Sequence, residues 1–290
     1  MRVFLTGGSG DLGQVLSRQL QARADVPVRF DVRPPLGGCG LHVEGSILDR
    51  ETLRRSLEGT DCVVHIAAWH GIHEATGAKD VYDFWDLNVT GTFSVFEAAV
   101  RAGVRRVVYL SSTSVANWAG VYGHTKVLGE EIARAYAQRH RMNVITLRPR
   151  AFIPPWNRQV YRSFVEWARW FWRGAVHIED VSQAVVRAIE LLERGPLPTP
   201  LVLTVDGAYE YTDEDLRNWD KEGPGTTFRK YYAEYYDLAV RLGLDPAKRP
   251  EKLDITETRR WLGYEPQYSL KTLLAELVRF GETGPPAPAS

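Results

Sequence analysis

Apolar residues follow two rhythms along the first 205 positions. Short unbroken runs occur at RVFLT (2–6), VRFDV (28–32), LHVEG (41–45), DCVVHIAA (61–68), RRVVYLSS (105–112), NVITLRP (143–149) and PLVLTV (200–205). They lack the polar alternation of a half-exposed strand and read as strands buried on both faces. Helical spacing fills the gaps: Leu12, Val15, Leu16 and Leu20 make one face, and helices follow over about 49–57, 81–101, 122–140 and 176–194. Strands alternating with helices predict an α/β fold, a doubly wound parallel sheet. The rhythm changes after Pro149. Pro154–Pro155 break the chain, a helix rich in aromatics and arginine is expected over 157–173, and the segment from Asp206 is polar and helical. The expected division is a sheet domain over 1–150 completed by about 174–205, a smaller and mostly helical C-terminal lobe over 151–173 and 206–284, and a flexible tail over 285–290.

Composition narrows the classes. Among 290 residues, 44% are apolar and 25% charged, and 36 basic side chains balance 36 acidic ones. That balance argues against a nucleic-acid binder. Only Cys39 and Cys62 are available for a disulfide, and Cys62 lies in an apolar strand run, so a reducing cytoplasm is expected. The opening MRVFLTGG has no signal-peptide architecture. No apolar run reaches the ~20 residues of a membrane span.

The candidate chemistry begins between the first strand and helix, where TGGSGDLG sets Gly7, Gly10 and Gly13 in a G-x-x-G-x-x-G spacing. Such glycines allow a tight turn, close approach of backbone to a pyrophosphate, and close helix–strand packing, while the helix N-terminus offers N–H groups to the anion. A strand before and a helix after make this a Rossmann dinucleotide loop. Asp31, at the end of the second strand, suits the ribose hydroxyls and repels a 2′-phosphate, so NAD is favoured; Arg33 nearby would offset that repulsion and keep NADP possible. The expected cofactor contacts are Gly7, Gly10, Asp11, Leu12, Gly13, Asp31, Arg33, Ala67, Ala68 and Lys126.

At SSTSVANWAGVYGHTK (111–126), Tyr122 and Lys126 stand one helical turn apart. A phenol is a poor base near neutrality, and a neighbouring ammonium plus an oxidised nicotinamide would favour its ionised form. With TGGSGDLG, VVHIAA (63–68), DLNVTGTFSVFEAA (86–99), VVYLSS (107–112), YGHTK (122–126), LRP (147–149), VHIEDV (176–181) and DITETRRWLGYEPQYSL (254–270), the chain resembles the short-chain dehydrogenase/reductase superfamily, in its extended branch of NAD-dependent epimerases and dehydratases. The resemblance implies Tyr122 as acid/base and Lys126 as holder of the nicotinamide ribose. It also implies a hydroxyl partner, Thr113 first and Ser112 second. The sequence departs from the family in three places. Only eight residues separate Thr113 from Tyr122, Ser46 stands where an adenine-contacting acid is common, and SSTSVA has no acid for dehydration. Asn88 takes the family's helix-asparagine position and supports the active-site backbone.

Trp69 and His70 follow the fourth strand, at the edge where ligands bind, and are expected with Arg150 to line the substrate pocket. His73 is open between pocket and loop, and His177 and Asp180 are read as structural. Arg158, Arg162, Arg169 and Arg173 would share one face of a helix over 157–173, either as a solvated stripe or as a phosphate clamp. No metal-ligand spacing appears, and none is expected. The function expected is an NAD-dependent oxidoreductase or epimerase of a sugar or sugar nucleotide, acting as a homodimer. The alternatives are a non-catalytic NAD(P)-binding regulator, or a reductase of a hydrophobic ketone.

Overall fold

The structure is a computed structural model; it describes residues 1–287 except 36, 38 and 199. Seven parallel strands form one sheet in the order β3-β2-β1-β4-β5-β6-β7: β1 Arg2–Thr6, β2 Val26–Asp31, β3 Leu41–Glu44, β4 Cys62–His65, β5 Arg106–Leu110, β6 Asn143–Pro149 and β7 Leu201–Val205. The order reverses between β1 and β4, and crevices for ligands open outside the carboxyl ends of strands at such a point. β2 starts earlier than its apolar run, because Val26 and Pro27 pair with Arg2 and Val3. β4 stops at His65, since the Ile66 and Ala67 N–H groups donate instead to the Thr6 hydroxyl.

Helices α1 (Asp11–Ala22), α2 (Arg50–Ser56), α3 (Gly71–Ala75), α4 (Val81–Phe84), α5 (Thr92–Arg101) and α6 (Val121–His140) accompany the first six strands. Each face of the sheet has its own core. Leu12, Val15, Leu16 and Leu20 of α1 pack with α8 (Ile178–Glu193) over one face. Leu53, Val95, Phe96, Ala133 and Tyr136 cover the other. The expected long helix over 81–101 is continuous but contains a π-turn, Trp85–Gly91, between α4 and α5.

The expected helix over 157–173 is shorter than its pattern. α7 spans only Phe164–Phe171, capped by Ser163, whose hydroxyl accepts the Glu166 N–H; the backbone after Pro154–Pro155 forms turns. Arg158 and Arg162 therefore lie off the helix, and the four arginines do not form one face. Arg158 donates to the Thr283 carbonyl and Arg169 to that of Leu242. Aromatic side chains of α7 meet α10 (Thr226–Tyr232), α11 (Tyr236–Leu242) and α13 (Leu270–Phe280) in a third core, with α9 (Asp213–Glu222) alongside. α12 (Thr256–Leu262) belongs elsewhere: Ile255, Leu262 and Tyr264 join the sheet core, and the Thr258 hydroxyl donates to the Thr204 carbonyl of β7. The tail expected over 285–290 is described only to Ala287, which lies outside any helix or strand; 288–290 fall outside the described residues.

Candidate active site

The glycine loop is built by contact as well as by dihedral freedom. Gly7 has φ +69°, and a Cβ on it would lie 3.0 Å from the Ala67 backbone; a Cβ on Gly13 would lie 2.6 Å from the backbone of Gly8. The third glycine thus draws α1 onto the loop itself. The Gly7 N–H donates to the Phe30 carbonyl at 2.9 Å, tying the loop to the end of β2. Gly10, at the N-cap of α1, offers no side-chain cap to the first-turn N–H groups of Asp11 and Leu12. An uncapped helix start over a glycine cradle fits a pyrophosphate.

Asp31 is buried beside it. One carboxylate oxygen accepts the Ser9 N–H and the other the Arg33 N–H, both at 3.0 Å. The Arg33 guanidinium stands 3.7 Å from Asp31 but is 69% exposed, so its ion pair offsets little of the acid's charge. The Asp11 carboxylate accepts a 2.8 Å hydrogen bond from Asn157; burial pushes its pKa up, against that bond and the Arg33 charge. Ala67 and Ala68, both half-buried, follow β4.

Ser112, Tyr122 and Lys126 come together at the carboxyl end of β5. Burial pushes the Tyr122 pKa up to about 12, and the Ser112 hydroxyl beside it works in the opposite direction. Ser112 is buried and its Oγ accepts the Ser114 N–H at 3.0 Å. Thr113, the residue preferred from sequence, opens a 3-10 turn, Thr113–Ala116, and of the two hydroxyls Ser112 is the one that bears on the ionisation of the phenol. The Lys126 ammonium is buried, donates to the Leu110 carbonyl at 2.7 Å and lies 5.9 Å from the Tyr122 ring centre. Burial pushes its pKa down to about 7, opposed by the Glu130 carboxylate. Glu130 is held in turn by Ser111 and by both nitrogens of an Arg148 fork.

The pocket wall after β4 is pinned by Asn88. Its Oδ1 accepts the Trp69 N–H at 2.7 Å, and its Nδ2 donates to the Trp69 carbonyl and to Thr125 Oγ1, both at 3.0 Å. Thr125 Oγ1 donates to the Tyr122 carbonyl at 2.9 Å, so the wall and the tyrosine are one hydrogen-bonded unit. Lys79 sits 4.3 Å over the Trp69 ring. The His70 ring lies 6.3 Å from that of Tyr122. His73 has a structural task, because its Nδ1 accepts the His70 N–H at 2.9 Å.

Two residues of this region went unread in the sequence. His65 is buried under the wall, with Nδ1 2.7 Å from Thr6 Oγ1 and Nε2 2.9 Å from Thr92 Oγ1. Thr92 spends its own proton on the Asn88 carbonyl, so His65 donates from Nε2 and receives the Thr6 proton at Nδ1. Burial and Lys126 push its pKa down to about 3, keeping it neutral. A lone histidine inside the apolar run CVVHIAA was the available signal. The other residue, Glu74, caps α6 from α3: it accepts the Val121 and Tyr122 N–H groups at 2.6 and 3.0 Å. No local pattern announces a cap that comes from so far upstream.

Arg150, expected at the substrate pocket, bonds to residues of the C-terminal segment. Its guanidinium donates to the Tyr209 hydroxyl, the Glu251 carbonyl and carboxylate, and Asp206, at 3.1–3.5 Å. It ties the end of β6 to the lobe beside a cleft lined by Trp172, Arg173, Tyr209, Tyr211, Phe228 and Lys248; no lining residue of that cleft comes from the first 150. His177 and Asp180 are structural: His177 stacks on Tyr268 at 4.2 Å, and Asp180 accepts the Gln267 and Tyr268 N–H groups. Among the described residues no cluster of three metal-ligating side chains occurs, and no helix is long and apolar enough to cross a membrane.

A model of the NAD dependent epimerase/dehydratase family matches residues 3–203. The uronate dehydrogenase of Pseudomonas syringae pv. tomato is 28% identical over 65% of this chain and 74% of its own. The 3 beta-hydroxysteroid dehydrogenase/Delta 5-->4-isomerase of Mycobacterium tuberculosis is 30% identical over 96% of this chain and 90% of its own. The solved structure of MoeE5 in complex with UDP-glucuronic acid and NAD superposes with a TM-score of 0.70, covering 95% of this chain and 97% of that one, at 22% identity. At that identity the superposition speaks for the fold.

Proposed function

The chain belongs to the NAD dependent epimerase/dehydratase family, and from that premise we propose that it is an NAD-dependent oxidoreductase or epimerase working at a carbinol carbon of a sugar or sugar nucleotide. The observation that carries this reading is the half-buried Tyr122 between buried Ser112 and Lys126, on the same carboxyl edge of the sheet as the uncapped glycine loop. The uronate dehydrogenase relative supports a sugar-type substrate.

The N–H groups of Asp11 and Leu12 would hold the pyrophosphate, Asp31 the adenosine ribose, and Lys126 the nicotinamide ribose. When bound, NAD supplies the hydride acceptor and a positive charge at the nicotinamide. That charge would offset the burial that raises the Tyr122 pKa, so the phenol can give up its proton and then take the one from the substrate hydroxyl. Ser112 holds the substrate oxygen while charge develops on it. The lobe, 151–173 and 206–284, would hold the rest of the substrate, with the aromatic and cationic cleft beside Arg150 as its handle.

Tryptophan fluorescence titrated with NAD and NADP tests the first half. NAD should bind at least about tenfold tighter, because the buried Asp31 faces the 2′-phosphate; equal or tighter NADP binding defeats that assignment. Uronates, aldoses and nucleotide sugars, followed at the NADH absorbance, test the second half. On any substrate so found, Tyr122→Phe should cut turnover by roughly 10²–10⁴ with little change in NAD affinity. A second reading has its own support in the steroid dehydrogenase relative and the aromatic cleft: a hydrophobic carbinol or ketone as substrate. Turnover of 3-hydroxysteroids with none of any sugar would select it.

A further inference from the structure

We propose that Glu74 is a positioning residue for Tyr122: its carboxylate, carried on α3, is the N-terminal cap that α6 lacks, and it fixes the tyrosine against the pocket wall. The proposal rests on the reading of Tyr122 as acid/base and adds to it a residue outside the reacting group.

A helix start leaves four N–H groups without intrahelical partners, and a Ser, Thr, Asp or Asn at the N-cap usually satisfies some of them. α6 starts after Gly120, which has no side chain, and its first turn holds no acid. The turn ahead of it cannot help either. Gly123 packs so tightly on that turn that a Cβ would lie 2.3 Å from the Ser114 carbonyl oxygen and 2.7 Å from that of Asn117. The cap comes instead from Glu74, 47 residues before Val121. Its two oxygens take two successive N–H groups, one of them the N–H of Tyr122 itself.

The same short helix meets the tyrosine a second time. A Cβ on Gly71 would lie 3.3 Å from Tyr122 Cδ1, so the backbone of α3 lies against the ring. Asn88 and Thr125 hold the Tyr122 carbonyl, so the residue is gripped at its N–H, its carbonyl and its ring. In this chain, α3 supplies the support for which only eight residues between Thr113 and Tyr122 leave no room.

The charge of the cap has a consequence that mere packing lacks. A carboxylate at a helix N-terminus opposes the positive end of the helix dipole, which by itself favours ionisation of a phenol in the first turn. The titratable groups facing Tyr122 are Lys126 on α6, Tyr109 on β5, His70 ahead of α3, and Glu74. Removing only the Glu74 charge should therefore ease the proton loss.

The test measures the pH dependence of kcat/KM for NAD-dependent oxidation of the best substrate of the panel, in the wild type, Glu74→Gln, Glu74→Ala and Tyr122→Phe. Glu74→Ala should lower kcat about tenfold, with the KM for NAD changed less than about twofold. Glu74→Gln, which keeps an acceptor, should rescue most of that loss and move the midpoint of the acid limb down by about half a pH unit. If Glu74→Ala does not fold, the shift in Glu74→Gln alone decides. Wild-type kcat in Glu74→Ala, or a Glu74→Gln profile that superimposes on the wild type, overturns the proposal while Tyr122→Phe stays inactive. An active Tyr122→Phe overturns the acid/base reading itself, and this proposal with it.

Discussion

Lys126 carries two demands that oppose each other. Its place beside Tyr122 calls for a charged ammonium, yet the site that holds it is dry, and burial pushes its pKa down to about 7 from the ordinary 10.5. The folded-state pKa lies below the unfolded one, so between those values the unfolded chain holds the extra proton. Stability from this group therefore rises with pH across that window and is lowest below about pH 7. Lys126→Met removes the buried charge and keeps the length of the stem. It should raise the melting temperature, most at pH 6 and progressively less toward pH 9, while it weakens NAD binding and turnover. A melting difference that does not shrink with rising pH would mean that Lys126 is not held desolvated in the fold. The tyrosine obeys the same arithmetic with the opposite charge. Burial makes the phenolate costly in the free protein, so on the proposed reading the base would form only with the cationic ring of NAD bound.

At the scale of elements, the glycine loop and α1 are held to each other by the absence of a side chain. A Cβ at Gly13 would press on the carbonyl carbon, Cα and oxygen of Gly8 at 2.6 Å, and backbone cannot move aside as a side chain does. Gly13→Ala should push α1 off the loop and weaken NAD at least about tenfold in the fluorescence titration, with the fold retained. Unchanged affinity would show that the helix start is not where the pyrophosphate sits. This loop was legible in the sequence because its chemistry is local, and so were the strands, since burial on both faces leaves unbroken apolar runs; β3, at the sheet edge, has no buried residue, in keeping with the weaker run LHVEG. What was not legible depended on distant partners. α7 was read too long because Val160 continues the helical period of Phe164, Trp167 and Phe171, which the Ser163 cap cuts short. The 3-10 turn Thr113–Ala116 has no signature in SSTSVA. Arg150 carries the same charge whether it faces a substrate or, as here, Asp206 and Glu251. The caps and clamps from Glu74 and Asn88 join residues 19–48 positions apart, which periodicity does not see.

For the whole molecule, three cores hold most of the buried apolar residues, and several large apolar side chains stay outside them. Along the π-turn and the helices it joins, Phe84, Asn88, Thr92, Val95 and Phe96 are buried. Tyr82, Trp85 and Phe93 look outward, 79%, 49% and 43% exposed, beside Val81. They lie on α4, the π-turn and α5, all of which pack directly on α6. A face of large apolar side chains on two adjacent helices is costly to leave in water and suits a two-fold partner, in which each helix meets its own copy. The balance of 36 basic and 36 acidic residues sets no net repulsion against that pairing. We therefore expect a homodimer in sedimentation at micromolar concentration, buried through α4, α5 and α6. Tyr82→Lys combined with Trp85→Glu places charges on that face without touching either sheet core, and should give a folded monomer of half the sedimenting mass. The α6 surface that carries Tyr122 at its start would then lose its partner, so turnover in the double variant should fall while NAD binding at the distant glycine loop persists. A wild type that sediments as a monomer, or a double variant that stays dimeric, would refute this interface.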